Sequence, residues 1–316
     1  MNLFNYPVDH DRAAYDSAID RMLKRLSSFT SVVAVYQVGS VSCPGISDID
    51  LVVVFDDTAK CDFLPLDGMS SADRYLFTHS LFGVRQRTLS EIAPYNLFHN
   101  FKVIQGQDVL VRATPSEQVK RQIAMEYLVR MLINITVAGH QKHLDVRSTL
   151  LQAHAIRYDL EFLGIEDGAL FDDVSQVIQW RNNWFVNPPS DAEFSFWYQR
   201  FDTSLCQFIQ HHAVATPLYL PDRPEFKIGR NIRLRRAECF ATSVNGFPLP
   251  TMLTRRHPLA KKISTRLSRF RIDLPWNSSD IPNEIREMFR CNEAVRDEVA
   301  TNFPNFYSLT SSLHLN

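Results

Sequence analysis

Apolar and polar positions recur with more than one period along this chain, and each period predicts an element. Between Asp9 and Phe29, the residues Tyr15, Ile19, Met22 and Leu26 fall at helical spacing among Lys, Arg and Asp, which predicts an amphipathic helix. The run Val32-Val33-Ala34-Val35 is β-branched and unbroken, as a buried strand requires, and the chain then turns at Gly39-Ser40. A loop with Pro44 and Gly45 leads to a second strand, Asp48 to Phe55. Side chains alternate across a strand, so Asp48 and Asp50 are expected on one face, with Ile49, Leu51, Val53 and Phe55 on the other. Further strands are expected over Tyr75–Val84 and over Phe101–Val111, the latter ending at Gly106. The polar stretch Asp56–Asp73, between Phe55 and Tyr75, has no decisive period.

Helical spacing dominates from there on. Thr114-Pro115-Ser116-Glu117 is a helix start with Thr at the N-cap and Pro at the first helical position. Val119, Ile123, Tyr127, Met131 and Ile135 continue it as one stripe. A second helix, Asp145 to Leu163, is expected after the turn His140-Gln141-Lys142-His143. Ser190-Asp191-Ala192-Glu193 opens another, with Phe194, Tyr198, Phe201, Leu205 and Phe208 on one face. Trp180, Trp184 and Trp197 in this region read as core. Pro217, Pro221 and Pro224 mark a linker, and Pro282–Ala300 reads as a last helix.

The chemistry concentrates between Gly39 and Asp50. Two carboxylates on one strand face, opposite a glycine bend, repel each other, and burial would favour protonation. A divalent cation removes both penalties: Mg²⁺ takes a few carboxylate oxygens together with substrate phosphates. Gly39 lets the backbone approach a phosphate, and Ser40 adds a hydroxyl and an N–H as donors.

At these residues the chain resembles the nucleotidyltransferase superfamily that includes DNA polymerase beta, poly(A) polymerases and aminoglycoside nucleotidyltransferases. The family pattern is an apolar residue, Gly-Ser or Gly-Gly, a short loop, then Asp-apolar-Asp on a strand. Here it reads Val38-Gly39-Ser40, a loop from Val41 to Ser47 that is shorter than usual, and Asp48-Ile49-Asp50-Leu51. The resemblance implies an α+β fold: a nucleotidyltransferase-like mixed β-sheet with flanking helices, followed by a helical domain and a basic C-terminal extension. The expected segments are 1–113, 114–215 and 216–316. It also implies Asp48 and Asp50 as catalytic metal ligands for Mg²⁺, and Gly39 and Ser40 as the site for a nucleoside triphosphate such as ATP. The implied reaction moves a nucleoside monophosphate to a hydroxyl of a small molecule, a protein or an RNA end. The family's third carboxylate usually lies on a following strand, where this chain carries His79 and no acid; Asp73 and Glu91 are the nearest. That departure leaves open a catalytically silent member that keeps the fold as a binding or regulatory module. Arg147 and His154 also fit the spacing of HEPN-type ribonucleases, a short pattern that arises often by chance.

Composition adds limits. A formal net charge of −1 and 45% apolar content describe an ordinary globular chain, with no global bias toward nucleic acid or membrane. The basic residues cluster instead between Lys227 and Arg271, where Glu238 is the one acid. This cluster reads either as a solvated surface around a hairpin at Asn245-Gly246 or as an RNA contact. Five scattered cysteines without a CxxC pair fit a reducing compartment. With neither signal peptide nor membrane span, the expected location is the cytoplasm.

Overall fold

The computed structural model describes residues 1–96, 98, 100–215, 218–247, 249, 263–264, 266–311 and 313. It is a mixed α/β structure whose chain divides into two compact units. One comprises Val8–Val119 and Asn283–Ser311; the other comprises Met1–Pro7, which holds the short strand β1 (Asn2–Phe4), Lys120–Pro282 and the last residues. The expected succession of three segments is therefore replaced by an interleaved arrangement, in which residues after 282 return to the N-terminal unit.

In the first unit, helix α1 (Arg12–Leu26) starts at Asp11, whose side chain accepts from the Ala14 N–H. It buries Tyr15, Met22 and Leu26 of the expected stripe; Ile19 is half-buried, and Ala18, outside the expectation, is buried as well. Strand β2 (Val32–Val38) pairs antiparallel with β3 (Asp50–Phe55), Val38 opposite Asp50 and Tyr36 opposite Val52. Every residue from Leu51 to Phe55 is fully buried, so β3 is covered on both faces.

Tyr75 to Val84 does not form the expected strand. Helix α2 (Ser71–Leu76) occupies its first part, because the Ser70 hydroxyl caps it by accepting from the Asp73 N–H. The chain then bends, and β4 (Phe82–Arg85) alone runs beside β3, in parallel, with Phe82 opposite Val52. Helix α3 (Gln86–Ile92) follows, and β5 (Lys102–Gly106) pairs antiparallel with β2.

The second unit carries helices α4 (Glu117–Gln141), α5 (Val146–Leu163), α6 (Ala169–Asn183) and α7 (Asp191–Ala215). Helix α4 starts beyond the expected Thr114 cap; the Ser116 hydroxyl accepts from the Val119 N–H instead. Asp145 caps α5, and strand β6 (His143–Asp145) pairs in parallel with β1. Ser190 and Glu193 form a reciprocal capping box at α7. Trp197 stacks on Phe201 with ring centroids 4.9 Å apart and meets Trp180 edge-on; Trp184 and Trp197 are core as expected, while Trp180 is half-buried.

Strands β7 (Glu225–Gly229), β8 (Ile232–Arg236), β9 (Ala241–Asn245) and β10 (Arg269–Leu274) form a sheet in the order β7-β8-β10-β9. The expected tight hairpin at Asn245-Gly246 is absent: β9 pairs with β10, Asn245 opposite Arg269. Gly246, at φ +109°, lies against the Leu267 carbonyl where a Cβ would clash.

The chain returns to the first unit through α8 (Asn283–Asn302) and β11 (Tyr307–Ser308). There β11 adds to β4, giving the mixed five-stranded order β11-β4-β3-β2-β5. Phe303 stacks on Phe55 with centroids 4.3 Å apart. Among the described residues no helix is long and apolar enough to cross a membrane.

Candidate active site

The β2–β3 connection is built from the inside. Tyr15 of α1 is fully buried, and its hydroxyl donates to the Ser47 carbonyl at 2.7 Å while accepting the Gly45 N–H at 2.9 Å. Tyr75 of α2 donates to the Gly45 carbonyl at 2.6 Å, and Arg12 donates to that of Val41 at 2.8 Å. The loop is therefore a fixed scaffold, and it delivers Asp48 and Asp50 at a set position.

Asp48 lies just before β3 and Asp50 is its first residue. With His79 they form a group whose candidate ligand atoms all lie within 4.8 Å of one another. The Thr78 hydroxyl donates to Asp48 Oδ2 at 2.6 Å, which orients that carboxylate. His79 Nε2 lies 2.9 Å from Asp50 Oδ1. Although this is ion-pair distance, Oδ1 is buried and receives no hydrogen bond of ordinary alignment. Burial pushes His79 toward its neutral form, but the contact with Asp50, the Asp50 charge, the Ser80 carbonyl and Asp48 outweigh it and raise its pKa to about 9. Two carboxylates, one with an orphaned buried oxygen, and an imidazole make a donor set that fits a divalent cation.

The bend sits beside this group. Gly39 has φ +69°, and a Cβ there would lie 3.6 Å from Asp50 Oδ2. Its N–H donates to Asn100 Oδ1 at 2.8 Å and its carbonyl accepts from Asn100 Nδ2 at 2.7 Å. The Gly39 amide is thus engaged, whereas exposed Ser40 makes no side-chain hydrogen bond among the described residues. Asp73, the weak candidate for a third acid, is outside the group: Arg21 grips it through Nε at 3.0 Å and through a second nitrogen at 2.5 Å. That grip holds its carboxyl below the usual range.

Asn100 and Thr78 escaped sequence reading, since neither belongs to a motif. His79 was visible but misplaced, because a strand over Tyr75–Val84 hides the bend that turns its ring toward Asp50. Farther along, Arg147 is buried, and burial, Arg181 and Arg157 push the pKa of half-buried His154 down to about 3.

In the second unit, register aligns Lys227, Arg233 and Arg271 side by side across β7, β8 and β10, with Ser243 next on β9. The three cations are exposed. Glu225 and Asp273, just outside the basic stretch, supply partial compensation: Glu225 pairs with Arg233 at 3.0 Å and Asp273 with Arg271 at 3.3 Å. Lys227, Arg230, Arg266 and Arg269 form no ion pair among the described residues.

No family model, curated protein or solved structure matches this chain.

Proposed function

We propose that this chain is a nucleotidyltransferase of the polymerase-beta-like fold that joins a nucleoside monophosphate to an acceptor hydroxyl. The observation that carries this reading is the convergence of Asp48, Asp50 and His79 within 4.8 Å, beside a glycine bend at positive φ. The antiparallel β2–β3 pair, entered from α1, is the frame such a site needs. A divalent cation held by Asp48 and Asp50, for which Mg²⁺ is the sequence-based expectation, would neutralise phosphate charge and lower the hydroxyl pKa. The acceptor hydroxyl gives up its proton to solvent as its oxygen forms a bond to the α-phosphorus, the bond to the bridging oxygen breaks, and pyrophosphate leaves with that electron pair. Within the chain, Thr78 orients Asp48, Asn100 holds the bend open, and Ser40 offers an N–H and a hydroxyl to phosphate oxygens. An RNA end is the acceptor we favour, because cations placed opposite one another on a sheet repel and a polyanion relieves that repulsion.

The test is incubation with each α-labelled nucleoside triphosphate, a divalent cation and a short RNA. We expect labelled RNA with wild type and a loss of at least about 100-fold in Asp50→Asn, as removal of a charge-stabilising group produces. A silent binding module is the second reading, favoured by the raised pKa of His79: a protonated imidazole would take the place of the cation beside Asp50. Triphosphate binding that is indifferent to divalent cations, without any transfer, would select it.

A further inference from the structure

His79 has two ring nitrogens in different surroundings. Nδ1 lies 2.7 Å from the Ser80 carbonyl oxygen. A carbonyl can only accept, so Nδ1 carries a hydrogen, and Nε2 is the nitrogen that offers a lone pair once a metal ion displaces its proton. Nε2 lies 2.9 Å from Asp50 Oδ1 in a contact too poorly aligned to be an ordinary hydrogen bond, so that oxygen keeps a lone pair for a cation. In metal sites a histidine whose far nitrogen donates to a backbone carbonyl has its ligating nitrogen fixed in this way. A separation of 2.9 Å also fits two neighbouring ligands of one ion, since bonds of about 2.1 Å at right angles place their ends about 3 Å apart. The ring is held further by stacking on Tyr307, with centroids 5.2 Å apart, and by the edge of Phe82.

We infer that His79 Nε2 is a metal ligand completing the Asp48–Asp50 pair, and that this site takes a divalent transition-metal ion such as Mn²⁺ or Co²⁺ in preference to Mg²⁺. Mg²⁺ selects oxygen donors and keeps its waters, whereas imidazole nitrogen suits the first-row transition ions. One imidazole in place of a carboxylate therefore shifts the metal the site favours. The inference rests on the nucleotidyltransferase reading only in taking the acidic pair as a cation site.

The test uses the full chain and metal ions alone. Titration calorimetry measures Mn²⁺, Co²⁺ and Mg²⁺ binding to wild type, His79→Asp and His79→Asn, with near-ultraviolet circular dichroism to confirm that each variant is folded. Electron spin echo modulation of the bound Mn²⁺ reads nitrogen coordination directly. We expect imidazole nitrogen modulation in wild type and its loss in both variants. We also expect the ratio of Co²⁺ to Mg²⁺ affinity to fall at least about tenfold in His79→Asp. Mn²⁺ bound without nitrogen modulation, or an affinity ratio unmoved by His79→Asp, would overturn the inference and leave the acidic pair as an oxygen-only cation site. No binding of any of the three ions at millimolar concentration would overturn both this inference and metal-dependent transfer. Nitrogen-coordinated Mn²⁺ with no transfer from any triphosphate would uphold the ligand set and overturn the nucleotidyltransferase reading alone.

Discussion

Asn100 and Gly39 hold each other through a reciprocal pair of hydrogen bonds, 2.8 Å from the Gly39 N–H to Asn100 Oδ1 and 2.7 Å from Asn100 Nδ2 to the Gly39 carbonyl. An asparagine side chain thereby plays the part of a neighbouring backbone strand and fixes the bend beside Asp50. Asn100→Ala removes both bonds at a partly solvated site and should lower stability by about 1–2 kcal/mol. Asn100→Asp, which keeps the acceptor, should lose less. Urea denaturation reads both, and triphosphate affinity should fall in parallel.

Gly39→Ala separates backbone strain from crowding. The added methyl meets only an ordinary contact at 3.6 Å, so the cost comes from φ +69° and should be about 1–2 kcal/mol in urea melts. Equal stability of wild type and variant would mean that the bend relaxes to an ordinary conformation.

Arg21 and Asp73 make the acid limb of stability. The Arg21 hydrogen bonds hold the Asp73 pKa below its ordinary 3.8, so the stabilisation is complete above that value and is lost as pH falls through the lower folded-state value. Arg21→Met should therefore destabilise the protein at neutral pH and flatten the pH dependence of Tm below about pH 4. Because Asp73 is committed to Arg21, Asp73→Asn should leave metal affinity unchanged, and a loss of metal binding would return it to the site.

Asp159 on α5 is fully buried, and neither of its carboxylate oxygens has a hydrogen bond among the described residues. Burial raises its pKa well above the ordinary value, so it enters the fold protonated. Its contribution is most favourable below the unfolded-state pKa and is lost as pH rises toward the folded-state value. Asp159→Leu should raise stability at pH 7 by about 1–3 kcal/mol, with the gain shrinking as pH falls to 4. Thermal melts across that range check the sign.

The returning helix α8 should be indispensable to the N-terminal unit. Val295, Val299, Phe303 and Phe306 sit in one cluster with β2, β3 and β4 side chains. Phe303→Ala, which empties the place stacked on Phe55, should cost about 3–5 kcal/mol. A fragment ending at Pro282 should expose that core and be digested by protease far faster than the full chain.

What the sequence determined by itself is local. The stripe of α1, the unbroken apolar runs of β2 and β3, the glycine at positive φ and the Ser190–Glu193 cap each depend on neighbours a few residues apart, and periodicity or side-chain type specifies them directly. It also placed Asp48 and Asp50 at the head of one strand, because that needs no partner beyond the loop before it. The strand expected over Tyr75–Val84 failed where a serine cap and a three-dimensional choice of partner competed: a short apolar run fits helix or strand alike until β3 and β11 claim part of it. Only tertiary structure could turn His79 toward Asp50, bring Asn100 to Gly39, give Asp73 to Arg21 and carry α8 back across the chain. Each of these joins residues far apart in sequence, and such pairings are set by which surfaces bury each other, information that no single segment contains.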